Sequence, residues 1–265
     1  MDFDKAIVDF TAAIDACSKG NLDACGIDYL NRAHAFYGKG DFGRAKADLD
    51  FAASRYSFVP TELARFSSLL AYVDFDLGNF AEARLTFDKS AIDWENAQGP
   101  RALADSIAGT LAFDKNAIEN AQRPRTPADT ARTLDQAFRQ TAQHMPSTVA
   151  YIKLWSAVAG LHAKVPATEQ DAVRDLRDYW NAHRSDKAAD WPFPLVQMFF
   201  EQIPAADILN KASGNVQQCQ AQLFLGELYW ARKNTANAKA SLQVAVDTCP
   251  KASDEYLAAQ AELNR

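Results

Sequence analysis

One spacing constrains this chain more than any other. Phe3, Phe42 and Phe80 recur 39 and then 38 residues apart. Ala6, Ala45 and Ala83 follow at a common offset, and then Phe10, Leu49 and Phe87. The turn Gly40-Asp41-Phe42 reappears as Gly78-Asn79-Phe80. Around the first turn the apolar and small residues fall at helical spacing. Tyr29, Leu30, Ala33, Phe36 and Tyr37 precede it; Phe42, Ala45, Leu49 and Ala52 follow it. Gly40 suits the left-handed backbone that stops a helix, and Asp41 caps the next one. Ala33, Ala45 and Ala52 are small enough to let two helices cross closely. One such hairpin cannot bury its own apolar face. The period therefore implies a helical solenoid in which each hairpin leans on its neighbour.

Composition fits that reading. With 48% hydrophobic and 23% charged residues, the chain can bury a continuous core. Its 10 Pro and 11 Gly, without strand-like alternation, suit an all-α protein. A net charge of −6 argues against a nucleic-acid backbone or an anionic membrane as the main partner. No apolar run reaches the length that spans a bilayer. The opening MDFDKAIVDF lacks the basic and apolar parts of a signal peptide. Either the chain is cytoplasmic, or Met1 stands where a targeting segment was removed. The chain opens on a second helix, residues 2–18, which favours the latter.

The four cysteines favour it further. Cys219 begins the first helix of the last hairpin and Cys249 ends the second, so an antiparallel pair brings them together. Cys17 and Cys25 flank a short connection and can also meet. Two adjacent pairs point to disulfides and an oxidising, exported compartment; the alternative is four small buried thiols.

Taken in order, residues 23–55 and 61–94 read as two full hairpins after the orphan helix. Residues 95–146 read as a degenerate hairpin: helices over 101–120 and 128–143, with a loop over 122–130. Residues 147–265 read as C-terminal repeats. They comprise a richly apolar helix over 148–163, a helix over 167–184, a Trp-Pro insert, a short helix over 204–212, the hairpin 216–248 and a capping helix over 252–264. In that last helix Leu257 and Ala261 mark the apolar face, and Asp254, Glu255, Glu262 and Arg265 the polar one. WPFPLVQMFF (191–200) is the most apolar run. It reads as a plug where the repeat is interrupted, the alternative being an exposed docking patch.

Leu225-Gly226, Tyr229, Ala238, Leu242, Ala245 and Pro250 sit at the spacing of the tetratricopeptide repeat (TPR), which the chain resembles. It departs from that pattern at Arg32-Ala33 in place of Leu-Gly, at Asp74 in place of an aromatic, at Ser90 in place of Ala and at Lys233 in place of the turn Gly. Residues 148–265 also resemble the new-lipoprotein-I group of bacterial cell-envelope TPR proteins. The shared features are a Trp-Pro helix start, a Leu-Gly hairpin and a final Glu-Tyr helix. The resemblance implies an all-α, right-handed α-solenoid of TPR hairpins over residues 1–265, closed by a C-terminal capping helix. It also implies an envelope adaptor that docks partner proteins.

In the TPR pattern the first helices of successive hairpins line a concave face. The positions that map there are Leu30, His34 and Tyr37, then Arg65, Ser68, Tyr72 and Phe75, then Glu227 and Trp230. Aromatic and arginine side chains at such places are common anchors. Tyr37, Phe75 and Trp230 read first as packing residues, and His34 and Tyr72 as the better binding candidates.

Catalytic patterns are missing. The histidines His34, His144, His162 and His183 show no HExxH spacing, and there is no CxxC, P-loop or GxSxG. Acidic pairs such as Asp48/Asp50 and Asp74/Asp76 read as solvated surface. The expectation is a non-catalytic scaffold with no cofactor and no metal, binding a protein or peptide on its concave face in the periplasm. The alternative is a subunit that self-assembles, for instance as a homodimer through the apolar face of the orphan helix.

Overall fold

The computed structural model describes residues 3–17, 25–97, 148–163, 166–187, 190–200, 203–251 and 253–264. The helices expected over 101–120 and 128–143, and the loop between them, lie outside these residues. Among the described residues there are twelve α-helices and no strand. They are α1 (Phe3–Cys17), α2 (Gly26–Gly38), α3 (Phe42–Arg55), α4 (Pro60–Asp76) and α5 (Phe80–Asn96). Then follow α6 (148–162), α7 (Pro166–Lys187), α8 (Phe193–Phe200), α9 (Ala205–Lys211), α10 (Gly214–Ala231), α11 (Thr235–Thr248) and α12 (Asp254–Asn264).

Three hairpins, α2–α3, α4–α5 and α10–α11, turn by one device. The backbone enters the left-handed region at Gly40 (φ 75°), Gly78 (φ 82°) and Lys233 (φ 60°). The next N–H then donates five residues back: Asp41 to Phe36 C=O at 2.9 Å, Asn79 to Asp74 C=O at 2.8 Å, Asn234 to Tyr229 C=O at 2.8 Å. This closure satisfies carbonyls that the helix end would leave orphaned. Asp41 and Asn234 then cap the second helices, accepting from the backbone N–H of Arg44 and Asn237. Glycine adopts the left-handed turn without steric penalty; Lys233 does not.

The hairpins stack. α1 packs on α2, α3 on α4, and the first helices α2 and α4 touch each other. Ala33, Ala45, Ala52 and Ala83 are fully buried at these crossings. The apolar face of α1 is half-buried against α2, with the Phe3 ring against the bare backbone of Gly38.

α6 is buried all round, as its apolar composition requires. Leu154, Trp155, Ala157, Val158 and Ala159 are 0% exposed. Trp155 stands 5.3 Å from the rings of both Tyr72 and Phe75, 6.1 Å from Phe87 and 5.4 Å from Phe224. One indole therefore joins α4, α5 and α10. Polar links reinforce this: Ser156 donates to Asp88 of α5 at 2.8 Å, and Arg84 of α5 pairs with Asp175 of α7 at 3.0 Å.

The Trp-Pro insert is interior. Phe193, Leu195, Val196, Met198 and Phe199 are buried, α8 packs on α7, α9 and α10, and Trp191 Nε1 donates to Gln220 at 2.7 Å. The plug reading describes it; an exposed apolar patch does not.

α12 covers α10 and α11 and also reaches α4. Its acids correct the sequence reading. Glu255 and Glu262, expected on the solvent side, are buried. Glu255 accepts from the Tyr151 hydroxyl and from Gln220 at 2.8 Å. A buried carboxylate needs such donors, and α6 and α10 supply them.

Candidate functional site

Where α2, α4, α5 and α12 meet there is a pocket of about 180 Å³ lined by Leu30, His34, Arg65, Ser68, Leu69, Tyr72, Trp94 and Asp254. Helical geometry explains the grouping. Leu30 and His34 lie one turn apart on α2, and Arg65, Ser68, Leu69 and Tyr72 form a stripe along α4. Trp94 comes from the end of α5 and Asp254 from the start of α12. The volume suits one side chain of a partner and is below that of a drug-sized ligand site, about 300–1,000 Å³.

Its floor is apolar and rigid. Tyr72 is buried with its ring edge-on to Phe87 and Trp155 at 5.1 and 5.3 Å. The Ser68 hydroxyl is fully engaged. It donates to Ala64 C=O at 2.8 Å, pairs with Ser90 at 2.7 Å and accepts from Trp94 Nε1 at 2.9 Å. A hydroxyl has one donor and two acceptor sites, so Ser68 positions Trp94 and holds nothing further. Ser90, which departs from the TPR pattern, completes that link.

The rim is polar. Arg65 is exposed, and its guanidinium reaches Asn31 Oδ1 only at 3.5 Å. His34 is exposed and opens to the pocket. Desolvation and the Arg65 charge hold its imidazole below the usual range, which favours the neutral ring. Burial, and then the Glu255 carboxylate, push Asp254 up to about 7. Burial and the charges of Asp254 and Glu255 push the Tyr72 phenol well above its ordinary value, so it stays protonated. The pocket thus offers a permanent cation, a neutral imidazole and a carboxyl group near its titration point.

Five of the nine sequence candidates, Leu30, His34, Arg65, Ser68 and Tyr72, line this one pocket. The other four sit elsewhere. Tyr37 is 1% exposed and donates its hydroxyl to Asp76 at 2.9 Å. Phe75 is 1% exposed among Phe80, Trp155 and His162. Glu227 is buried against His162, 2.6 Å away. Trp230 is half-buried, with its indole nitrogen enclosed and no hydrogen-bond partner. Tyr37, Phe75 and Glu227 therefore serve the interior and are closed to a partner.

Leu69, Trp94 and Asp254 complete the pocket and were not among the sequence candidates. Trp94 had a signal: it holds, within the last turn of α5, the repeat position that Tyr56 holds just after α3 and Cys249 just after α11. Asp254 had none, because it arrives from a helix at the far end of the chain.

Both expected cysteine pairs are bridged. Cys17–Cys25 has its Cα atoms 5.8 Å apart and Cys219–Cys249 4.9 Å apart, and no cysteine is free. The first staples α1 to the start of α2, and the second closes the mouth of the last hairpin. Among the described residues, no helix is long and apolar enough to cross a membrane. Set against the models of known protein families and against curated proteins, the chain finds no match.

Proposed function

We propose that this chain is a non-catalytic protein–protein interaction module. In this reading it is a right-handed α-solenoid of TPR-type hairpins working in an oxidising compartment such as a bacterial periplasm. A partner's peptide segment lies along the first helices, and the pocket between α2, α4 and α12 takes one of its side chains. An apolar stem would rest on Leu30, Leu69 and Trp94, and a polar head would meet Arg65, His34 or Asp254. The observation that carries this reading is convergence: five residues singled out from a repeat pattern line a single small pocket. The two disulfides support an exported location, since such bridges persist outside reducing cytosol.

The test is a random peptide library panned against the full chain with its disulfides intact, followed by calorimetry on the selected peptides. Arg65→Ala is expected to weaken them at least ~10-fold, a loss of about 1.4 kcal/mol. Lys239→Ala, on the exposed side of α11, is expected to leave them unchanged. Peptides that bind both variants equally would overturn the proposed site.

A further inference from the structure

We propose that His162, Glu227 and Glu262 form a divalent-metal site, of a kind suited to zinc, where α6, α10 and α12 meet. His162 Nε2 lies 2.6 Å from Glu227 Oε2 and 4.0 Å from Glu262 Oε1. One ligand atom from each residue lies within 4.8 Å of the others. The carboxylates are 0% and 3% exposed, and the imidazole is 19% exposed. Carboxylates this deep need compensation, and a divalent cation supplies it.

A second observation points into the same place. Glu227 Oε1 is buried and has no hydrogen-bond partner. A metal held across that carboxylate would occupy the idle oxygen.

The ligand set selects the ion. One imidazole nitrogen and two carboxylates, with Glu227 held through both oxygens, make a four-donor set that zinc accepts. Calcium and magnesium prefer six or more oxygens, so the imidazole argues against them. Zinc bonds of about 2.0–2.2 Å place tetrahedral ligand atoms about 3.3 Å apart. The histidine–Glu227 separation would open by less than an ångström, and the histidine–Glu262 separation would close by a similar amount. The imidazole plane is already fixed, with the Phe80 ring stacked on it at 4.8 Å and Phe75 edge-on at 5.8 Å. Such an apolar shell keeps bulk water from the ligands. The partly exposed histidine marks the entry path. This inference is independent of the peptide-binding reading, since none of the three residues lines that pocket.

The experiment uses the untagged full chain with its disulfides intact, stripped by a chelator. It is titrated with zinc chloride by calorimetry, and in parallel with cobalt chloride by visible absorption. One zinc per chain is expected, together with the intense cobalt bands of a four-coordinate site. His162→Gln and Glu262→Gln are expected to weaken zinc by more than ~100-fold, beyond the ~10–100-fold typical of outer-shell partners. His34→Gln and His183→Gln are expected to leave binding unchanged. No zinc bound by the wild-type chain, or weak six-coordinate cobalt bands from it, would overturn the proposal without recourse to any variant. Equal affinity in folded His162→Gln and Glu262→Gln chains would overturn it as well.

Discussion

The hairpins α2–α3 and α10–α11 share a turn and differ in what holds them shut. Midway along α2–α3, Arg32 donates to both carboxylate oxygens of Asp48 at 2.8 and 2.7 Å. The equivalent residues of the last hairpin are Leu225 and Ser241, and there the helices close on Gly226. A Cβ at Gly226 would fall 2.7 Å from Leu242. At the mouth, α2–α3 slides Gly26 beneath the Tyr56 ring, where a Cβ would again meet an atom at 2.7 Å. The last hairpin has Cys219 and Cys249 at those same positions, bridged. At the turn the order reverses: Gly40 is relaxed and Lys233 is strained. The repeat therefore fixes the places where two helices must be joined. It leaves open whether a salt bridge, a ring on a bare backbone or a disulfide joins them.

The largest effect is expected at the mouth of the last hairpin. Cys219→Ser with Cys249→Ser should cost about 3–4 kcal/mol, the chain-entropy value for a closed loop of this length, and opening the shorter Cys17–Cys25 loop about 2–3 kcal/mol. Urea unfolding of the full chain reads both. Equal losses from the two bridges would mean that loop length is not what sets them.

At the polar clamp, Asp48→Ala should cost about 2–3 kcal/mol, because Arg32, with its side chain 17% exposed, is left without its acceptor. Copying the last hairpin, as Arg32→Leu with Asp48→Ser, should return stability to within about 1 kcal/mol of wild type. A double variant as unstable as the single one would show that the hairpins are not interchangeable at this level.

The two ends of the chain meet at Asp254, where pH separates their contributions. Its pKa of about 7 lies above the ordinary carboxyl value of 3.8. The folded chain therefore holds this proton more tightly than the unfolded chain does. The resulting stability is complete below about pH 4 and is lost as pH rises through 7. Asp254→Asn should flatten stability across this window and leave the chain about 2 kcal/mol more stable at about pH 8. An unchanged pH profile would place the acid in water and α12 away from α4.

The smallest effect is at the turn. Lys233→Gly should stabilise by about 1 kcal/mol, the reverse of the penalty a side chain meets in left-handed backbone. Gly40→Lys should cost a similar amount, and thermal unfolding resolves both.

What the sequence made legible was local. Gly40-Asp41 and Gly78-Asn79 mark turns because glycine, and at Asp41 a capping side chain, act within a few residues of themselves. Ala33, Ala45 and Ala83 mark crossings because only small residues fit there. The pocket-lining stripe was legible on α2 and α4, where its members share a helix face. Glu227 occupies the position equivalent to His34 and Tyr72, yet it turns inward, because α6 brings His162 to meet it. The acids of α12 looked like a solvated face because charge usually means water. Tyr151, Gln220 and His162, each distant in sequence, make their burial tolerable. Such partnerships leave no periodic trace.

The most direct test of the account is site-specific photocrosslinking in the cells that make the protein. A photoreactive residue at position 34, at the rim of the pocket, should yield a discrete heavier adduct containing a second protein. The same residue at position 239 should yield none. No adduct at position 34, or the same adduct from both positions, would contradict the claim that this chain holds its partner on the inner face.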